Sequence, residues 1–99
     1  MPTYEIALCD TEKDYAKKVK TLIEKYTSEF LKGCKVLIYN QPQKLVADIK
    51  EKKISPVMLY IDVELENANG IEVVKKVNKL SKECRVVYLT KYLKYATEV

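Results

Sequence analysis

Val57-Met58-Leu59-Tyr60-Ile61-Asp62 is an unbroken apolar and aromatic run that ends in a carboxylate. It shows no polar alternation, so it reads as a strand buried on both faces, the kind found in parallel sheets. Three shorter runs share the pattern: Ile6-Ala7-Leu8-Cys9, Val36-Leu37-Ile38-Tyr39 and Val86-Val87-Tyr88-Leu89. Each is followed by a polar residue: Asp10, Asn40 and Thr90.

Helical spacing fills the gaps between the runs. Tyr15, Val19, Leu22, Ile23, Tyr26 and Phe30 fall on one face of a helix from about Glu12 to Lys32, with Gly33 as its stop. Pro42 opens a second helix that turns Leu45, Val46 and Ile49 inward. Ser55-Pro56 separates it from the third run. A third helix follows Gly70, with Ile71, Val74, Val77 and Leu80 on one side, and Tyr92 to Val99 begins a fourth. The alternation predicts one α/β domain over residues 1–99: a doubly wound parallel sheet with right-handed crossovers and helices on both faces.

Composition narrows the chemistry. The 99 residues are 47% hydrophobic and 32% charged, which suits a globular domain and argues against disorder. The net charge of +4 is spread evenly, with 9 basic and 7 acidic groups in each of the segments 1–50 and 51–99. A nucleic-acid surface gathers its basic groups on one face, so no direct nucleic-acid contact is expected. There is no His, which removes His-based triads, His general bases and the commonest zinc sites. Cys9, Cys34 and Cys84 lack CxxC spacing and read as reduced structural thiols. Most of the eight tyrosines read as core or core-edge packing, Tyr15 and Tyr26 on the inward face of the first helix and Tyr39, Tyr60 and Tyr88 in strands. No apolar run approaches the roughly 20 residues of a membrane span. The N-terminal residues lack signal-peptide character, so a cytoplasmic location and no membrane contact are expected.

In an open α/β sheet the site lies beyond the carboxyl ends of the strands, where the strand order reverses. If the first and third runs are central neighbours, Asp10 and Asp62 meet there with Thr90 beside them. Paired carboxylates call for a cation, and oxygen ligands of this kind suit Mg²⁺. One carboxylate can also accept a phosphoryl group. Taken singly, Asp10 and Thr90 are also good helix caps. Glycine-rich phosphate loops of the GxGxxG or GxxxxGK[ST] kind are absent, which argues against nucleotide or flavin binding. Glu64 to Gly70 reads as a long acidic loop with a turn at Asn69-Gly70.

Ile6 to Asp10, Leu59 to Asp62 with Asn69-Gly70-Ile71-Glu72, and Val87 to Thr90 together resemble the receiver domain of a bacterial two-component response regulator. Leu89 to Ala96 is similar to receivers of the LytTR class. The resemblance implies a flavodoxin-like, CheY-like sheet of order 2-1-3-4. It implies that Asp62 is the phosphoacceptor and that Asp10, Asp62 and the backbone carbonyl of Glu64 hold Mg²⁺. Thr90 would be the switch hydroxyl, with Tyr92 or Tyr95 reporting its motion. The implied partners are a sensor histidine kinase and an output domain of the full-length protein, DNA-binding and transcriptional in kind. The chain would be a phosphorylated switch rather than an enzyme.

Two departures stand out. Thr11 occupies the place of the family's second acidic residue. The family's fifth strand, with its phosphoryl-binding Lys, and fifth helix have no counterpart here; Lys91 is in the wrong place to serve and reads as solvated. The chain is therefore expected to be C-terminally truncated, with poor order after about Thr90 or association through an open fourth-strand edge, or as a homo-oligomer. The alternative that Thr11 motivates is a degenerate receiver, acting as a phosphorylation-independent interaction or dimerisation module.

Overall fold

The computed structural model describes residues 4–30 and 33–89. Four parallel strands form one sheet: β1 (Tyr4–Cys9), β2 (Cys34–Tyr39), β3 (Met58–Asp62) and, last in the chain, β6 (Arg85–Leu89). Their order is β2-β1-β3-β6. The chain steps from β1 outward to β2, then returns to the other side of β1 for β3. The order thus reverses at the β1/β3 boundary, as a doubly wound sheet requires. Between β3 and α3 lies a small antiparallel pair, β4 (Glu64–Leu65) and β5 (Ala68–Asn69). The segment read as an acidic loop is therefore a hairpin. Asn67 takes its left-handed position at φ 60°, a conformation Asn tolerates better than most residues.

Helices α1 (Lys13–Phe30), α2 (Pro42–Lys50) and α3 (Gly70–Leu80) cover the two faces. Alternation along each strand divides the core. Ile6, Leu8 and Val36 meet Ala16, Val19 and Ile23 of α1. Ala7, Cys9, Leu59 and Ile61 meet Leu45 and Ile49 of α2 and Val73, Val74 and Val77 of α3. β1 and β3 are fed from both sides, which explains their unbroken apolar runs.

Two helical faces are rotated from the sequence expectation. In α1, Leu22 and Tyr26 are 55% and 67% exposed. The helix meets the sheet along the narrower strip of Ala16, Val19 and Ile23, and Leu22 sits one residue, about 100°, around from Ile23. In α3, Ile71 and Leu80 are exposed while Gly70, Val73, Val74 and Val77 are buried. That buried set follows an i, i+3, i+4, i+7 pattern beginning at Gly70, so contact at the first residue sets the phase of the helix. Tyr88 is also exposed, as is Val87. All three cysteines are free thiols. The expected fourth helix, with Lys91, Tyr92 and Tyr95, and the Phe30 side chain lie outside what is described. Among the described residues β6 pairs with β3, and no helix is long and apolar enough to cross a membrane.

One buried polar bond ties β2 to α2. The Tyr39 hydroxyl donates to Asp48 Oδ2 at 2.7 Å, with both residues buried. Burial, followed by the Asp48 hydrogen bond, raises Tyr39 from 10.0 to about 12. Burial, followed by the charges of Asp10 and Asp62, raises Cys9 from 9.0 to about 12. Both groups favour the protonated form when folded. Their stabilisation is complete below the unfolded values of 9.0 and 10.0 and is lost as pH climbs towards about 12. Urea unfolding followed by circular dichroism is expected to show a falling midpoint across that window. Tyr39→Phe leaves the buried Asp48 oxygen without its donor and is expected to cost about 1–3 kcal/mol at neutral pH by the same measurement.

Candidate functional site at the carboxyl edge

β1 and β3 run parallel with Cys9 opposite Ile61. The next residue on each strand is a carboxylate, so Asp10 and Asp62 stand side by side at the switch point. Both are sealed from solvent, at 0% and 1% exposure.

Their loops are built alike. Asp10 Oδ1 accepts from the Glu12 amide at 2.9 Å, and Asp62 Oδ1 accepts from the Glu64 amide at 2.9 Å. Each carboxylate thereby turns its own chain sharply as it leaves the sheet. Asp10 bonds Glu12, the residue before α1, and so shapes the turn into that helix. Its backbone is gripped by the neighbouring strand end: the Asp10 amide donates to the Tyr39 carbonyl at 3.0 Å, and Asn40 Nδ2 donates to the Asp10 carbonyl at 2.8 Å.

The β3 side is held by α3. Asn69 caps that helix, accepting from the Ile71 amide at 2.8 Å. The Gly70 amide donates to the Val63 carbonyl at 2.8 Å. A Cβ on Gly70 would collide with the Asp62 carbonyl oxygen and the Val63 Cα. Glycine is needed here for close approach of two backbones rather than for an unusual φ. Sequence reasoning took Asn69-Gly70 as a turn and had no signal for this contact. It also missed the Thr11 hydroxyl, which accepts from the Glu66 amide at 3.0 Å. Asn40 was noted at its strand end, without its role.

The donor set is hard oxygen. Ionised carboxylates at neighbouring strand ends repel one another. A divalent cation reverses that sign. Among the described residues no group of three or more His, Cys, Asp or Glu is placed to hold a metal. The fit is therefore to a cation that takes two carboxylates, a backbone carbonyl and several waters, as Mg²⁺ does. Glu64 follows Val63 at the start of β4, two residues beyond Asp62, with its amide on Asp62 Oδ1. Thr90 lies outside the described residues. Cys9, beneath both carboxylates, stays a neutral thiol because burial and their charges push it up to about 12, and it carries no nucleophilic role.

No protein-family model matches the sequence, and no curated protein matches it. Solved structures do. The N-terminal domain of a response regulator/sensory box/GGDEF three-domain protein from Carboxydothermus hydrogenoformans is 25% identical, with TM-score 0.72, over 87% of this chain and 63% of its own. A response regulator from Burkholderia pseudomallei, solved with a phosphorylated aspartic acid, a calcium ion and citrate, has 16% identity and TM-score 0.74, over 90% of this chain and 48% of its own. The response regulator TrrA from Thermotoga maritima, solved in complex with Mg²⁺-BeF, has 18% identity and TM-score 0.65, over 98% of this chain and 77% of its own. The chain thus spans less than two thirds of the first two. Its parallel sheet and helices match these flavodoxin-like receiver folds.

Gly70→Ala tests how far the site depends on the close approach of α3. The added methyl must push the helix start away from Asp62 and Val63, and a loss of about 1–3 kcal/mol is expected in urea unfolding.

Proposed function

We propose that this chain is a phosphoacceptor receiver domain. The observation that carries the reading is the buried pair Asp10 and Asp62, set side by side at the switch point of a parallel sheet. Asp62 is the acceptor. An Asp62 carboxylate oxygen forms a bond to the phosphorus of an acyl phosphate or phosphohistidine donor. The donor's own bond to that phosphorus breaks, and its electron pair leaves with the donor group. Asp10, Asp62 and the Glu64 carbonyl would hold Mg²⁺, and the bound ion would offset the charge on the transferred group.

The donor partner is a sensor histidine kinase, and the response passes to an output domain of transcriptional kind. Thr90, the residue that follows Leu89 in the sequence, is the hydroxyl that would answer the new phosphoryl group. The domain is a switch and not an enzyme in its own right; association between copies through β6 or the following segment belongs to the same reading. These roles rest on the resemblance and on the carboxylate pair together.

A second reading is motivated by one residue. Thr11, where the family has an acid, is engaged by the Glu66 amide. On that reading the domain binds partners without phosphorylation.

Intact-mass measurement after acetyl phosphate and Mg²⁺ treatment separates the two. The expected outcome is a gain of one phosphoryl mass, absent in Asp62→Asn. A folded chain that shows no Mg²⁺ binding by calorimetry rejects the phosphoacceptor reading in favour of the second.

A further inference from the structure

We propose that Thr11 is a positioning residue for this site, acting through the β4–β5 hairpin; the proposal rests on the phosphoacceptor reading above. Thr11 is half-buried and directly follows Asp10. Its Oγ1 accepts from the Glu66 amide at 3.0 Å, 55 residues away in the chain. One partner leaves β1 and the other leaves β3. The bond therefore spans the crevice between the two strand ends that carry the carboxylates.

The rest of the hairpin is anchored from its own side. The Glu64 amide is bonded to Asp62 Oδ1, the Gly70 amide to the Val63 carbonyl, and Leu65 is buried in the core. These contacts fix the hairpin to β3 and α3, but none of them runs directly between the hairpin and the Asp10 loop. Thr11 supplies that link. Leu65 and Ala68 are paired, as are Glu64 and Asn69, so the hairpin moves as a unit. Holding Glu66 then holds the Glu64 carbonyl at a set distance from the Asp10 loop.

The contact is exposed, and it borders a cavity of about 380 Å³ whose walls include Thr11, Lys13, Asn40 and Glu66. Water replaces the hydroxyl when the bond is lost, so the fold loses little. What is lost is alignment, and outer partners that orient a ligand set commonly control metal affinity.

The test compares wild type, Thr11→Val and Thr11→Ser. Three readouts are taken: Mg²⁺ affinity by calorimetry, hydrogen exchange at the Glu66 amide, and Tm. The valine variant keeps the shape and removes the acceptor. It is expected to bind Mg²⁺ about tenfold more weakly, with faster exchange at Glu66 and little change in Tm. The serine variant is expected to restore both affinity and protection. Should the valine variant not fold, Thr11→Ala is judged by the same criteria. Equal or tighter Mg²⁺ binding without the hydroxyl overturns the positioning role and leaves Asp62 as acceptor. A loss that serine fails to restore assigns the effect to packing and overturns it as well. Wild-type protein that binds no Mg²⁺ removes the phosphoacceptor reading and this proposal with it.

Discussion

The parallel register of β1 against β3 is the constraint on which the site depends. Cys9 opposite Ile61 makes Asp10 the neighbour of Asp62. A slip of one residue along either strand would break that juxtaposition. It would also exchange the faces on which Ile6, Leu8, Ala7 and Cys9 are buried, because side chains alternate with a period of two. The core that fixes the register is therefore the same core that brings the two carboxylates together.

The surrounding contacts serve that alignment at the backbone level. Tyr39 and Asn40 hold the Asp10 main chain from the β2 side. Gly70 lets the start of α3 lie against Asp62 and Val63, and Asn69 caps the helix so that its first turn is settled at that contact. The two carboxylates spend one oxygen each in closing their own loops. Those bonds fix the direction of each side chain, so the remaining oxygens are presented in set positions. The buried charge also reaches Cys9, whose thiol is held neutral. Burial thus makes the site electrostatically strong and the adjacent sulfur chemically quiet.

Local pattern carried much of this. The four apolar runs, the three intervening helices and the polar residue after each run were legible because continuous hydrophobicity and 3.6-residue spacing are properties of short windows. The acidic pair could be located from the rule that sites gather at the reversal of strand order. The rotated faces of α1 and α3 were not legible. Leu22, Tyr26, Ile71 and Leu80 are as apolar as the residues that did go inside, and a helical stripe in the sequence is wider than the strip one sheet can cover. The β4–β5 hairpin was hidden for a related reason: each strand is two residues long, too short to show alternation.

Residue order thus determined a parallel α/β chain with a carboxylate or other polar group after each strand, since these follow from periodicity and the handedness of crossovers, while the strand order that sets Asp10 beside Asp62 came from the resemblance and from the packed sheet. Contacts between distant segments decided the rest. That Gly70 is needed for backbone approach, that Tyr39 reaches Asp48, and that Thr11 meets Glu66 depend on distances set only once helices and sheet have packed. No local pattern of residues encodes such a distance, because it is fixed jointly by every side chain in the layers between.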